Sequence, residues 1–362
     1  MTVANEFVSR TDATGRPYQP ARLSGPAGIA WRYWVVGFIL VLMPVAANSF
    51  VLFQIFGWAF ILGMIALSLM FLGGYGGMVS LSQMAVAGLA AYMMAVFGSS
   101  GVTQISLGWP WWLTVPVAII IAVIFGTITG ALAVRTEGIY TIMITLAIAT
   151  AFFYFVRQNY TIFNGYNGFN QVLPPQLFGV DWRQPIPIYY LTLAFAVLAY
   201  FLVVYVARTP FGLALQGVRD NPRRMAALGF NVTAHRIAAY AFASFIAAVA
   251  GILLVWLNAQ VSPGTVAIGP AIDILVIAVI GGMRHPIGPF IGALIFVTIR
   301  TFALDILVSV GIPGERFQLL VGLTFLAIVF WSPDGILGLW PRVRRWLVSA
   351  SSLTGSTSEE GR

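Results

Sequence analysis

Few side chains in this sequence are of a type that could carry out covalent or metal chemistry. All 19 basic residues are arginine, the chain has neither lysine nor cysteine, and its two histidines are His235 and His285. Without lysine there is no GxxxxGK[ST] phosphate loop and no Schiff base, and without cysteine there is no thiol nucleophile, disulfide or cysteine-ligated metal. Two histidines do not make a histidine-rich metal site. We therefore expect no catalytic residue, no metal and no cofactor.

The remaining chemical candidates are polar residues inside long apolar runs. Asp273 lies near the start of one run, and a carboxylate within a membrane is a functional candidate unless it caps a helix or pairs with a cation such as Arg300. Thr141 and Thr145 fall on one face of a predicted helix. Their hydroxyls either bond back to their own helix or line a polar pathway.

Composition identifies the elements that must position these residues. Hydrophobic residues make up 59% of the 362, and charged residues only 8%, against about 25% in a soluble domain. Apolar runs of about 20 residues predict membrane-spanning α-helices, because the bilayer leaves backbone polar groups no outside partner. We predict an all-α integral membrane protein with about ten transmembrane helices, some of them broken, near 33–53, 55–72, 81–98, 111–134, 138–157, 187–207, 236–257, 271–283, 287–308 and 316–333.

The distribution of arginine predicts the topology. The net charge of +8 is explained by arginines that flank apolar runs, so no nucleic-acid partner is expected. Both termini are predicted to be cytoplasmic. The chain then divides into a cytoplasmic tail, 1–32, a transmembrane domain, 33–341, and a second cytoplasmic tail, 342–362.

Two glycine-rich turns look alike and lie six predicted spans apart, which indicates a possible parallel internal repeat. Paired interruptions of this kind point to a transport pathway, although glycine also allows close helix packing. The candidate pathway residues include the two threonines and the aspartate described above. They are Gly73, Gly74, Gly77, Ser82, Gln83, Thr141, Thr145, Asp273, Gly281 and Gly282.

A basic segment between two apolar runs, 208–235, is predicted to contact another protein. Its centre has the pattern of a short capped helix. Asp220 or Asn221 can supply the N-cap oxygen, Pro222 can occupy the first turn, and Gly229 can end the helix in a left-handed conformation. A helix of two turns is unstable alone in water, so we expect it to lean on a partner. The candidate contact residues are Arg219, Asp220, Pro222, Arg223, Arg224, Met225, Ala226, Leu228 and Gly229, of which Met225, Ala226 and Leu228 would form a small apolar face.

Three segments carry a resemblance to a known family. They are GGYGGMVSLSQMAVAGLAAY at 73–92, RTEGIYTIMITLAIAT at 135–150, and RTPFGLALQGVRDNPRRMAALGFNV at 208–232 followed by VSPGTVAIGPAIDILVIAVIGGMRHPIGPFIGA at 261–293. The order and spacing of these pieces resemble the permease subunits of branched-chain amino-acid (Liv-type) ABC importers, over about residues 50–335. The sequence departs from the family where Ser82-Gln83 replaces Gly-His and where Leu213 replaces arginine.

The resemblance implies the role and the partners of the chain. It implies the permease subunit of a bacterial inner-membrane importer for a small solute, a branched-chain amino acid or similar, with urea, amides and aromatic acids carried by related permeases. The implied partners are a second related permease, two ABC ATPase subunits that hydrolyse ATP, and an external solute-binding protein. The segment around Asp220–Gly229 would be the coupling helix that docks into the ATPase. The alternatives are a stand-alone secondary transporter or channel, and a structural membrane anchor.

Overall fold

The computed structural model describes residues 37, 40–45, 47–136, 138–176, 179, 181–309 and 322, without the side chains of 303–309. The chain divides into two units, 1–47 and 48–362. In the first unit, residues 40–45 are helical. The predicted tails 1–32 and 342–362, the beginning of the first predicted span, and the tenth span, 316–333, apart from residue 322, lie outside the described residues.

The second unit consists of helices joined by short turns. Their bounds are α1 Val51–Tyr75, α2 Gln83–Phe97, α3 Trp111–Ala133, α4 Ile139–Gln158, α5 Pro185–Arg208, α6 Pro210–Asp220, α7 Pro222–Ala227, α8 Val232–Asn258, α9 Ile268–Gly281 and α10 Gly288–Ser309. Five of them, α1, α3, α4, α5 and α8, are long and apolar enough to cross a membrane, and α2, α9 and α10 are shorter apolar helices. The all-α membrane fold is confirmed, and each of the predicted spans from the second to the ninth corresponds to one of these helices.

The predicted boundary between the first two spans is wrong. Residues 53–55 lie inside α1, which is wound as a π-helix from Val51 to Gly57 and again from Phe71 to Tyr75. Gln54 lies on an exposed side of this continuous helix, so its polar side chain needs no break in the chain. The interruption comes earlier, at Ala47 and Asn48, and the Asn48 carbonyl accepts a hydrogen bond from the Leu52 amide.

The core lies where α8 packs against α1, α2 and α3, with α10 packed against α1, and small residues set the separation of these helices. Gly251 of α8 packs on the carbonyl group of Ala87 in α2, and a β-carbon on Gly63 of α1 would lie 2.6 Å from the Phe290 ring. Close backbone approach of this kind is how helices pack in a membrane, where burial of apolar surface drives association only weakly. By contrast α3 and α5 present exposed apolar rows, such as Ile120, Ile124 and Ile128.

The segment between α4 and α5 is anchored to the bundle rather than free. It includes a short helix, Tyr160–Phe163, and a strand β1, Phe169–Asn170, paired antiparallel with β2, Gln260–Val261. The rings of Phe163 and Phe169 are buried and meet the edge of Tyr92 at centroid distances of 5.4 Å and 6.2 Å. This segment therefore closes one end of the bundle.

Candidate functional site

The basic segment folds into two helices, α6 and α7, of which only α7 was expected. Helix α6 begins at Pro210 after Thr209, whose hydroxyl accepts a hydrogen bond from the Gly212 amide. Threonine at the N-cap followed by proline at the first position is a recognised helix start. One side of α6 is buried through Ala214, Leu215 and Val218, so α6 is the element that attaches α7 to the membrane helices.

Helix α7 is closed at both ends in the way that its sequence predicts. The Asn221 side chain, rather than that of Asp220, accepts a hydrogen bond from the Arg224 amide at 2.9 Å, and Pro222 occupies the first helical position. At the other end Gly229 has φ +89°, and the amides of Gly229 and Phe230 donate to the carbonyls of Ala226 and Met225. These two bonds form a Schellman motif, which requires a left-handed residue that glycine adopts without strain.

The α7 helix has no buried residue. Arg223, Arg224 and Ala226 are exposed, and Leu228 exposes 68% of its surface. Met225 instead turns back onto α6, where its sulfur would lie 2.8 Å from a β-carbon on Gly217. The predicted apolar face is thus divided: Met225 holds the helix to the protein, whereas Ala226 and Leu228 are available to a partner.

The two glycine turns come together in the structure. Gly73 and Gly74 end α1, Gly77 follows with φ +69°, and Gly281 and Gly282 end α9. Gly74 faces the carbonyl oxygen of Met283 so closely that a β-carbon could not fit. Arg219, at the end of α6, donates from Nη1 to the Gly74 carbonyl and forms an ion pair with Asp220 at 2.9 Å.

Ser82 and Gln83 belong to a buried polar cluster between α1 and α2. Each exposes 1% of its surface. The Ser82 hydroxyl lies 2.9 Å from that of Ser80, and the Ser68 hydroxyl donates to Gln83 Oε1 at 3.2 Å. Within the described part of the chain, Gln83 Nε2 has no hydrogen-bond partner. These side chains are therefore enclosed among the described helices, and their predicted pathway role remains a prediction.

Thr141 and Thr145 share the buried face of α4, as predicted. The Thr141 hydroxyl donates to the Thr136 carbonyl at 2.9 Å, and that of Thr145 donates to the Ile142 carbonyl at 3.0 Å. Thr145 also accepts a hydrogen bond from the Leu81 amide at 3.1 Å. Both hydroxyls are thus engaged by backbone groups, and Thr145 links α4 to the turn that leads into α2.

Asp273 lies apart from this cluster, partly buried in the second turn of α9. The described side chains of Asp273 and Arg300 form no ion pair, so the pairing and the functional role of Asp273 both remain predictions, and no described contact joins Asp273 to the glycine turns.

Sequence reasoning missed two features of this region. One is α6, because its polar side resembled a loop. The other is the buried Ser68, Ser80 and Ser244; Ser68 and Ser244 are each a single polar residue in an apolar stretch, and Ser80 lies two residues before Ser82. Ser244 packs on Gly126 of α3, and its Oγ has no hydrogen-bond partner among the described residues. The only sequence signal for such residues is their polarity.

A separate cavity of about 480 Å³ lies at the end of α4. It is lined by Tyr154, Arg157, Gln158, Tyr160 and Tyr166, and the Arg157 guanidinium carbon lies 5.8 Å from the centre of the Tyr166 ring. Each polar side chain around the cavity can donate hydrogen bonds, and none of the lining residues is acidic.

Comparisons with known proteins identify the family that the chain matches. The sequence profile of the family described as branched-chain amino acid transport system / permease component matches residues 51–329. The high-affinity branched-chain amino acid transport system permease protein LivM of Salmonella typhimurium is 24% identical over 253 residues, 64% of this chain and 58% of that protein. The probable LivM of Methanocaldococcus jannaschii is 27% identical over 233 residues, 61% of this chain and 67% of that protein.

A probable branched-chain amino acid transport permease protein LivH, also of Methanocaldococcus jannaschii, is 30% identical over 155 residues, 41% of this chain and 46% of that protein. The alignment with the Salmonella relative covers 58% of that protein, which is less than two thirds of its length. No solved structure matches the chain.

Proposed function

The chain belongs to the family of permease components of branched-chain amino-acid transport systems, and from this membership we propose that it is the transmembrane permease subunit of an ATP-binding-cassette importer. It is a multi-pass membrane protein, and we place it in the bacterial inner membrane with both termini in the cytoplasm. The solute is a branched-chain amino acid or a similar small molecule. The chain itself catalyses no reaction, and a separate ATPase subunit hydrolyses ATP.

The observation that carries this proposal is α7. A six-residue helix is too short to be stable by itself, yet its caps, its Schellman motif and Met225 hold it in shape. It exposes Leu228 and two arginines. A protein that maintains a preformed apolar and basic projection loses less conformational entropy when a partner binds there.

We propose that the partner of α7 is a groove on the ATPase that carries acidic side chains. Arg223 and Arg224 lie in the first turn of α7, where positive charge is unfavourable to the helix dipole. An acidic groove would compensate for that unfavourable placement, while burial of Leu228 would contribute about 1.5–3 kcal/mol.

The other proposed partners are a second, related permease and an external binding protein. The exposed apolar rows of α3 and α5 face either lipid or the second permease. The cavity around Arg157 supports docking of the binding protein through an acidic side chain, because hydrogen-bond donors surround it. In the transport cycle, closure of two ATPases would move α7, and the helices would rock between inward-facing and outward-facing states.

The test is co-purification of the candidate ATPases with the wild type and with Arg223→Glu/Arg224→Glu. We expect the wild type to retain the ATPases and the double reversal to release them while the permease stays folded and monodisperse. A matched control reverses Arg183, which is exposed in the segment between α4 and α5, and this variant should retain the ATPases.

Two other results would contradict the proposal. If the wild type retains no ATPase, or if the double reversal has no effect on ATPase binding, a stand-alone secondary transporter or channel becomes the better explanation. That alternative needs ionisable residues within the membrane for ion coupling. Asp273 and Arg300 would have to perform that coupling. A structural anchor would retain no ATPase and transport nothing.

A further inference from the structure

Arg219 contacts the first glycine turn at two residues, and Asp220 holds its guanidinium. Its Nη1 donates to the Gly74 carbonyl. Its aliphatic stem fills the space beside Gly77, where a β-carbon would lie 2.6 Å from Arg219 Cγ. Its Nε and Nη2 both reach Asp220 Oδ1 at 2.9 Å, which orients the guanidinium toward the turn.

The carbonyl that Arg219 binds is one that α1 leaves without a partner. The last turn of α1 is closed by the amides of Gly77 and Met78, which donate to the carbonyls of Gly73 and Leu72. The final carbonyls of a helix need a donor from outside the helix, and a cation there is favoured by the helix dipole. Arg219 thus holds the end of α1 directly.

The first glycine turn also contacts the second glycine turn directly, through backbone atoms. Gly74 packs on the Met283 carbonyl oxygen, and a β-carbon on Gly73 would lie 3.3 Å from the Met283 sulfur. Contacts between backbone groups in a packed interior transmit displacement because no flexible side chain absorbs it. A movement at the end of α6 would therefore displace the ends of α1 and α9 and the beginnings of α2 and α10.

We propose that Arg219 is a positioning residue that transmits movement of α6 and α7 to the two glycine turns. The proposal rests on the proposed function, because the movement would originate in an ATPase bound at α7. It assigns to Arg219 a role different from that of Arg223 and Arg224: they bind the partner, and Arg219 passes its movement on. A residue that only capped α1 would support stability but would leave the movement of the turns unchanged.

Because the chain has no cysteine, a single introduced thiol can report movement of the second glycine turn. His285 is exposed in the second turn, so His285→Cys introduces a single thiol. The complex with the ATPases is purified, and the rate of maleimide labelling is compared without nucleotide and with ATP plus vanadate. We expect the two rates to differ at least about fivefold, the lower end of typical coupling between sites.

The proposal predicts that Arg219→Ala in the His285→Cys background abolishes this difference while the ATPases still co-purify. Arg219→Lys, which keeps one donor for the Gly74 carbonyl, should restore part of the difference. Arg135→Ala, at an exposed arginine in the turn between α3 and α4, is the matched control and should leave the difference intact.

The outcomes are distinct. If Arg219→Ala keeps the full difference, or if the wild-type rates are equal in both states, the transmission role is wrong although the ATPase partnership stands. If Arg219→Ala destabilises the complex, failure of Arg219→Lys to restore any difference in a complex of normal yield also overturns the role. If the wild type binds no ATPase, the proposed function itself has failed.

Discussion

Thr145 takes part in the packing of a membrane helix through its hydroxyl, and its pathway role remains a prediction. Its hydroxyl is fully buried and accepts the Leu81 amide while donating to the Ile142 carbonyl. Replacing Thr145 with valine would leave the Leu81 amide buried without a partner, at a cost of about 1–3 kcal/mol. We predict a lower melting temperature for Thr145→Val, measured by thermal unfolding in detergent.

The matched control for this prediction is Thr150→Val on the same helix. The Thr150 hydroxyl donates only to the Leu146 carbonyl of its own helix, so its loss should change the melting temperature little. If Thr145→Val keeps wild-type stability but lowers solute uptake, the hydroxyl lines the pathway and the structural role is wrong.

Gly77 is the residue of the first glycine turn whose backbone conformation is strained for any other residue. Its φ of +69° is left-handed, and its α-carbon lies against the Arg219 stem. Gly77→Ala should destabilise the protein by about 1–2 kcal/mol from the backbone conformation, and it should also displace Arg219. Gly269→Ala, where no atom lies within 4 Å of the added carbon, is the control. Equal melting temperatures for the two variants would contradict the geometry of this turn.

At the scale of elements, the N-cap of α7 is predicted to set the affinity for the ATPase. Asn221→Ala removes the side chain that accepts from the Arg224 amide. Loss of an N-cap costs about 1 kcal/mol, which is roughly a fivefold loss of affinity if the helix must be formed to bind. The measurement is titration of the purified ATPase onto the permease in detergent.

Asn221→Ser retains a capping oxygen and should bind the ATPase nearly as tightly as the wild type does. A fivefold weakening in Asn221→Ser as well would mean that the asparagine contacts the ATPase itself. No weakening in either variant would show that α7 need not be formed for binding.

The existence of the membrane helices could be predicted because each needs a long apolar run, and this requirement is local. The ends of α7 could also be predicted, since Asn221, Pro222 and Gly229 act through their own backbone neighbours. What could not be predicted is the contact of Gly74 with Met283 or of Arg219 with Gly74. These residues are far apart in the chain, and only packing of the helices brings them together.

The same limit explains the misplaced boundary in α1 and the unexpected α6. The sequence shows a polar residue, Gln54, within an apolar run, but it does not show that this residue lies on the exposed side of a continuous helix. In α6, Leu215 and Val218 are buried by α8 and the first glycine turn, and a short polar helix acquires its apolar contacts only from such neighbours. The pathway roles of Ser82, Gln83 and Asp273, and the internal repeat, remain predictions.

At the scale of the whole molecule, the described helices of the second unit pack closely, with polar groups enclosed and apolar rows exposed. Ser68, Ser82, Gln83 and Thr145 are buried among them, so we propose that the passage for solute lies at the surface where the proposed second permease would bind. The projecting α7 and the cavity near Arg157 are the surfaces where the ATPase and the binding protein are proposed to act.

The most direct measurement is uptake of radiolabelled leucine into proteoliposomes that contain this chain, its partner permease and the ATPases, with the binding protein outside and ATP inside. The account predicts accumulation that requires every component, depends on ATP hydrolysis, is blocked by vanadate and persists when ion gradients are collapsed. Accumulation by this chain alone, driven by an ion gradient and unaffected by vanadate, would contradict it.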